Sequence, residues 1–142
     1  MTIGRLIESR DTAILTCDAN ATVREAVALL AERRIGALPV TDGGEVAGIF
    51  SERDVVYRLH EFGAQALDRP VREVMTAPAV TVSPDTQVLA ALSLMTRRRI
   101  RHLPVVEAGE LIGFVSIGDL VKVRIDRIES EAEALRTYIQ TA

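Results

Sequence analysis

The sequence predicts a mixed α/β fold: two copies of a strand–helix–strand–strand–helix unit, packed with pseudo-twofold symmetry and followed by a long C-terminal helix. Three observations carry this expectation. The chain repeats itself at an offset of 65 residues, so that Gly48-Ile49-Phe50-Ser51-Glu52-Arg53-Asp54 returns as Gly113-Phe114-Val115-Ser116-Ile117-Gly118-Asp119. The same offset places Leu38-Pro39-Val40 on Leu103-Pro104-Val105 and Arg33-Arg34 on Arg98-Arg99, and a repeat of this kind fixes the unit of architecture. Within each copy, helical apolar spacing alternates with short β-rich runs separated by glycine turns. Finally, the last helical pattern does not stop where its counterpart does. Val121, Ile125, Ile128, Ala132, Leu135 and Ile139 continue it in alternating steps of four and three, with no Gly or Pro from Leu120 onward, which is a two-heptad seam.

Taken in order, residues 1–10 suit a short helix with Ile3, Leu6 and Ile7 on one side, and 13–16 a short strand. From Thr22, the positions Val23, Ala26, Val27, Leu30 and Ala31 predict a helix that ends near Gly36. Residues 37–41 and 45–50 form a hairpin around Asp42-Gly43-Gly44. Ser51 opens a helix that closes near Gly63. Residues 63–78 connect the copies, with Pro70 placed to start a short helix over 71–75. The second copy follows as strand 79–82, helix 85–98, strands 102–106 and 110–115, and a helix from Ile117. One such unit is too small to bury its own apolar side. Pairing two of them, sheet against sheet, buries it and leaves a cleft between the copies, where ligands favour binding.

Composition narrows the function classes. A net charge of −3 argues against a protein that binds nucleic acid by neutralising phosphates. With 48% hydrophobic residues, extended disorder is excluded. Cys17 is the single cysteine, so no intramolecular disulfide forms, and it reads as a small core residue. There is no run of the eighteen or so apolar residues that a membrane span needs, and no signal-peptide core. The expectation is a soluble, cytoplasmic protein with no metal site, because His60, His102 and Cys17 do not cluster at metal-ligand spacing. The run Arg97-Arg98-Arg99 with Arg101 reads as a helix end favourable to the helix dipole.

The repeated Gly-x-x-Ser-x-x-Asp stretch carries the chemistry. One reading is a capping box, in which Ser51 or Ser116 caps a helix and Asp54 or Asp119 reaches back to the cap. The other reading uses the same geometry for a ligand. A helix N-terminus attracts phosphate, a serine adds a hydrogen bond, and a carboxylate one turn in accepts two hydroxyls, as the diol of a ribose presents them. Gly48 and Gly113 leave room for a close approach to the backbone. A capping serine can also face a ligand, so both readings stand.

At these residues the chain resembles the CBS domain family, named for the domain found in cystathionine β-synthase. The matching stretches are Arg34-Ile35-Gly36-Ala37-Leu38-Pro39-Val40 with the hairpin and Gly48 to Asp54, then Arg99-Ile100-Arg101-His102-Leu103-Pro104-Val105 and Gly113 to Asp119. The resemblance covers about residues 8–65 and 73–128, leaving 129–142 as a helical extension. It is that of a stand-alone tandem pair, a Bateman module. It implies a regulatory, non-catalytic module that senses an adenosine-containing ligand, with AMP foremost and ADP, ATP, NAD(H) or S-adenosylmethionine as alternatives.

Carried over residue by residue, the resemblance has Asp54 and Asp119 hold ribose hydroxyls and Ser51 and Ser116 contact ribose or phosphate. Thr16, Thr81, Ile35 and Ile100 surround the base. Arg101 and His102 contact phosphate; the first copy has Gly36 and Ala37 there, and Arg53 is the local substitute, so the two sites are expected to differ. No nucleophile–base pair is visible, so no enzyme activity is expected. The rival expectation is a structural dimerisation or adaptor protein with vestigial clefts. In either case the tail seam predicts a homodimer, and a regulatory module implies a regulated protein partner that the sequence does not identify.

Overall fold

The computed structural model describes residues 1–10 and 13–141. Its elements run α1 (Ile3–Glu8), β1 (Cys17–Asp18), α2 (Val23–Arg33), β2 (Ala37–Asp42), β3 (Glu45–Ser51) and α3 (Glu52–Phe62). A 3-10 turn (Gly63–Asp68), α4 (Val71–Val74), α5 (Val88–Arg98), β4 (His102–Glu107), β5 (Glu110–Ser116) and α6 (Ile117–Thr141) complete the chain. The expected mixed α/β architecture is present.

Both hairpins turn through two residues with positive φ: Gly43 and Gly44 at 62° and 88°, Ala108 and Gly109 at 51° and 82°. Two such residues give the tight turn whose twist matches that of the flanking strands. Register repeats as well, with Val40 opposite Gly48 and Val105 opposite Gly113, each followed by an irregularity in the ladder. The helix before the first hairpin closes just short of Gly36, and that before the second ends at Arg98 as expected. It is Arg34 (φ 53°), not Gly36, that takes the left-handed conformation at the end of α2, and Arg99 (φ 55°) does the same after α5. The Ile35 N–H donates to the Leu30 carbonyl at 3.1 Å and that of Ile100 to Met95 at 3.0 Å, a hydrogen-bonded closure that swings the next residue back toward the core.

The first strands also depart from expectation. Residues 13–16 carry no strand; β1 is the two-residue pair Cys17–Asp18, which lies parallel to β2 opposite Val40 and Thr41. In the second copy, residues 79–82 supply a single bridge, Val82 to Val105. Only that much of each segment reaches a partner edge, and a strand needs one to exist.

Each copy has its own core. One cluster gathers Val23, Ala26, Leu30, Leu38, Val40 and Phe50 with Val71 and Val74. The other gathers Val88, Ala91, Met95, Leu103, Val105 and Val115 with Ile3 and Leu6. The short helices are thus exchanged relative to sequence order: α4 seals the first copy, and α1, at the start of the chain, seals the second. Backbone hydrogen bonds fix the exchange, with Ile3 N–H donating to Thr86 at 2.8 Å and Val71 N–H to Ala21 at 2.8 Å. The copies meet through β3 and β5. Among the described residues no polar side chain is buried, and no helix is long and apolar enough to cross a membrane.

The repeated glycines Gly48 and Gly113 serve this packing. A Cβ on Gly48 would stand 2.7 Å from the Thr76 carbonyl oxygen and 2.9 Å from the Met75 sulfur; one on Gly113 would stand 3.0 Å from an Ile7 methyl. The close approach they permit is that of the sealing segments. Helix α6 runs on past the second core. Val121, Ile125, Ile128, Leu135 and Ile139 are exposed, the last at 66%.

Candidate functional site

A cavity of about 670 Å³ lies between the copies, within the size range of small-molecule sites. It is composite. Ile14, Leu15 and Ile35 to Leu38 come from the first copy; His102, Ile112 to Phe114, Ser116 and Asp119 come from the second; Ile7 and Arg10 come from the N-terminal segment. The helix closure at Arg34 delivers Ile35 and Gly36 to its wall, and the β4–β5 hairpin delivers His102 and Phe114 side by side. Their rings stack at 5.4 Å between centroids, 12° from parallel.

Asp119 supplies the cavity's carboxylate. It belongs to a capping arrangement: its Oδ2 accepts from the Ser116 N–H at 2.7 Å, and its own N–H donates to the Ser116 hydroxyl at 3.2 Å. Its Oδ1 takes the Arg10 guanidinium at 2.8 Å, and Arg10 also donates to the Phe114 carbonyl at 3.3 Å. Burial pushes the Asp119 pKa up, but the bonds from Ser116 and Arg10 together outweigh it and hold the carboxyl below its ordinary value. His102 moves down from its ordinary value, chiefly because burial disfavours the charged ring, although Asp119 and Glu52 pull the other way. At neutral pH its ring is therefore uncharged, a face for stacking and a single hydrogen-bond donor.

The corresponding carboxylate of the first copy is differently engaged. Ser51 and Asp54 form a complete capping box, with the Ser51 N–H donating to Oδ2 at 2.9 Å. The Thr76 hydroxyl donates to Asp54 Oδ1 at 3.0 Å. Where the second copy meets an arginine, the first meets a neutral hydroxyl.

Of the residues singled out from sequence, the cavity brings together Ile35, Gly36, Ala37, His102, Ser116 and Asp119. Thr16, Ser51, Arg53, Asp54, Thr81, Ile100 and Arg101 are not on its wall. Thr16, Thr81, Arg53 and Arg101 are exposed, and Ile100 packs against the second core. Arg101 fails to share a strand face with Arg99 because β4 begins only at His102 and Arg99 is left-handed. The repeat gave no signal for Arg10, which precedes the first copied element and falls on Met75 at the 65-residue offset. A helix of 6 residues whose apolar side holds Ile3 and Leu6 was visible; that its exit would reach a carboxylate more than 100 residues away was not. Among the described residues, no group of histidine, cysteine and acidic side chains is arranged to hold a metal ion.

The CBS domain family model matches residues 9–61 and again 71–126. The mitochondrial CBS domain-containing protein CBSX3 of Arabidopsis thaliana is 38% identical over 138 residues, covering 94% of this chain and 67% of its own length. A solved structure from Burkholderia ambifaria, described as a signal-transduction protein with CBS domains, is 39% identical with a TM-score of 0.82, covering 89% of this chain and 95% of that one. The crystal structure of CBSX2 in complex with AMP is 26% identical with a TM-score of 0.74, covering 88% of this chain and 96% of that one. With the same unit matched twice, and with relatives that pair two such units in one fold, the chain belongs to the CBS domain family and is a tandem CBS pair.

Proposed function

We propose that this tandem pair is a regulatory module that binds an adenosine-containing nucleotide, AMP foremost, in the cavity between its copies, and that it has no catalysis of its own. One observation carries the reading: a composite, largely apolar cavity holds, among the described residues, one carboxylate fixed at a helix N-terminus, opposite an arginine. In this reading the Ile14, Leu15, Ile35 and Ile112 side chains and the His102–Phe114 stack enclose the base, Asp119 accepts the ribose diol, and Ser116 supports it. ADP, ATP, NAD(H) and S-adenosylmethionine share the adenosyl part and differ in what extends beyond it. CBSX2, a similar tandem pair, is seen with AMP, which supports AMP as the first ligand to try. By the repeat, Ser51, Asp54, Thr81 and Ile100 are the residues we assign to a second, pseudo-twofold-related cleft. There Thr76 occupies the Asp54 oxygen that a ribose needs, so that cleft fills second or not at all.

A second reading has its own observation. The apolar stripe of α6 is uncovered, with Ile125 and Ile128 about half exposed and Leu135 at 60%. Its spacing suits a second copy of the same helix, making the protein a homodimer; a purely structural adaptor would use that face and leave the clefts empty. The working compartment in both readings is the cytoplasm, with a regulated protein as the downstream partner.

Thermal melts with AMP, ATP, adenosine and S-adenosylmethionine test the first reading. A ligand at 100 times its Kd stabilises the fold by about 2.7 kcal/mol. If none of the four shifts the melt, the adaptor reading holds.

A further inference from the structure

Among the described residues that line the cavity, Arg10 is the permanent cation and Asp119 the carboxylate, and they hold each other at 2.8 Å. Asp119 Oδ2 is committed to the Ser116 N–H of its own cap. Oδ1, the oxygen left for a ligand hydroxyl, is the one that Arg10 occupies. A ribose diol and Arg10 therefore compete for the same atom.

We propose that Arg10 makes the cavity selective for anionic adenosyl ligands by exchanging its partner, releasing Asp119 to the ribose and taking up the ligand's phosphate. This rests on the nucleotide reading above and goes beyond it by naming the residue that sets ligand charge. The resting pair is 30% and 33% exposed, so breaking it costs a factor of about five or less in affinity. The second nitrogen of Arg10 stays held by the Phe114 carbonyl at 3.3 Å, so the released guanidinium remains at the cavity wall. An uncharged nucleoside merely replaces Arg10 on Asp119 and leaves the guanidinium without a counter-charge. A nucleotide also offers it a phosphate, which a guanidinium grips through two oxygens. The first copy has no such device, because the Thr76 hydroxyl on Asp54 carries no charge to transfer.

The test is titration calorimetry of AMP and adenosine against the unmodified chain, R10Q and R10K, with thermal melts of each. In R10Q, adenosine should bind up to about fivefold more tightly because its competitor is gone. AMP should bind about tenfold more weakly, so the two ligands move in opposite directions. R10K keeps a charge but loses the two-pronged grip. It should weaken AMP without weakening adenosine, and it carries the test if R10Q does not fold. An AMP-to-adenosine ratio that stays the same in both variants, or adenosine and AMP weakened by one common factor, overturns the exchange while leaving the nucleotide reading intact. Absence of binding by either ligand to the unmodified chain and to R10Q overturns both.

Discussion

Replacing Asp119 with alanine separates what the residue does for the fold from what it does for a ligand. In the ligand-free protein the substitution removes the 2.7 Å bond to the Ser116 N–H and the 2.8 Å ion pair with Arg10. Loss of a cap costs about 1 kcal/mol. The ion pair, about a third exposed, adds at most about 1 kcal/mol. A total of about 1–2 kcal/mol should lower Tm by about 3–8 °C. With AMP present, the loss is larger, because two hydroxyl bonds to a charged oxygen are worth about 1.5–3 kcal/mol each, and AMP affinity should fall by about a hundredfold to ten-thousandfold (about 1.4 kcal/mol per factor of ten). Asp54→Ala is the matched control. It loses the same kind of cap, plus the 3.0 Å bond from Thr76, and should melt similarly lower. Its carboxylate is not on the cavity wall, so AMP affinity there should change by less than about twofold, since a side chain that does not touch the ligand has no differential contact to lose. Calorimetry beside circular-dichroism melts gives both quantities. Equal losses of AMP affinity in the two variants would refute the assignment of the site to Asp119, and unchanged affinity in Asp119→Ala would reduce that residue to a helix cap.

Other expectations follow from the packing. Gly48→Ala should destabilise by about 2–3 kcal/mol, because its Cβ meets the Thr76 carbonyl at 2.7 Å and that carbonyl is fixed by the Ile49 N–H. Gly113→Ala, whose Cβ is nearest to the Ile7 side chain at 3.0 Å, should cost about 1 kcal/mol; urea melts ranking them the other way would contradict the packing. Truncation after Arg124 removes Ile125, Ile128, Leu135 and Ile139 and should shift a dimer toward monomer in sedimentation, with the CBS cores still folded. On acidification, stability should fall in two stages. His102, held low by burial, contributes stability that is complete above its ordinary pKa of 6.5 and is lost as pH falls from there toward its lower folded value. Asp119, also held low, contributes above its ordinary 3.8 and loses that contribution only below it. Urea midpoints from pH 8 to 3 should show the upper stage in the unmodified chain and not in His102→Gln.

Most of the local structure was legible in the sequence. A serine followed three residues later by aspartate, paired glycines or Ala-Gly between apolar runs, and helical spacing each act within a few residues, and the repeat stated them twice. The long α6 was readable for the same reason, since nothing in residues 120–141 breaks a helix. What the sequence could not contain is which apolar patch a short segment will seal. Val71 and Val74 stay with the copy that precedes them, whereas Ile3 and Leu6 cross to the one that follows much later. Burial is non-directional and rewards any fit, so that choice belongs to the assembled shape. The crossing is also what brings Arg10 to Asp119. Whether a carboxylate faces an arginine or a threonine was decided by the exit of a short helix, and this is one difference between the two copies that the repeat did not show.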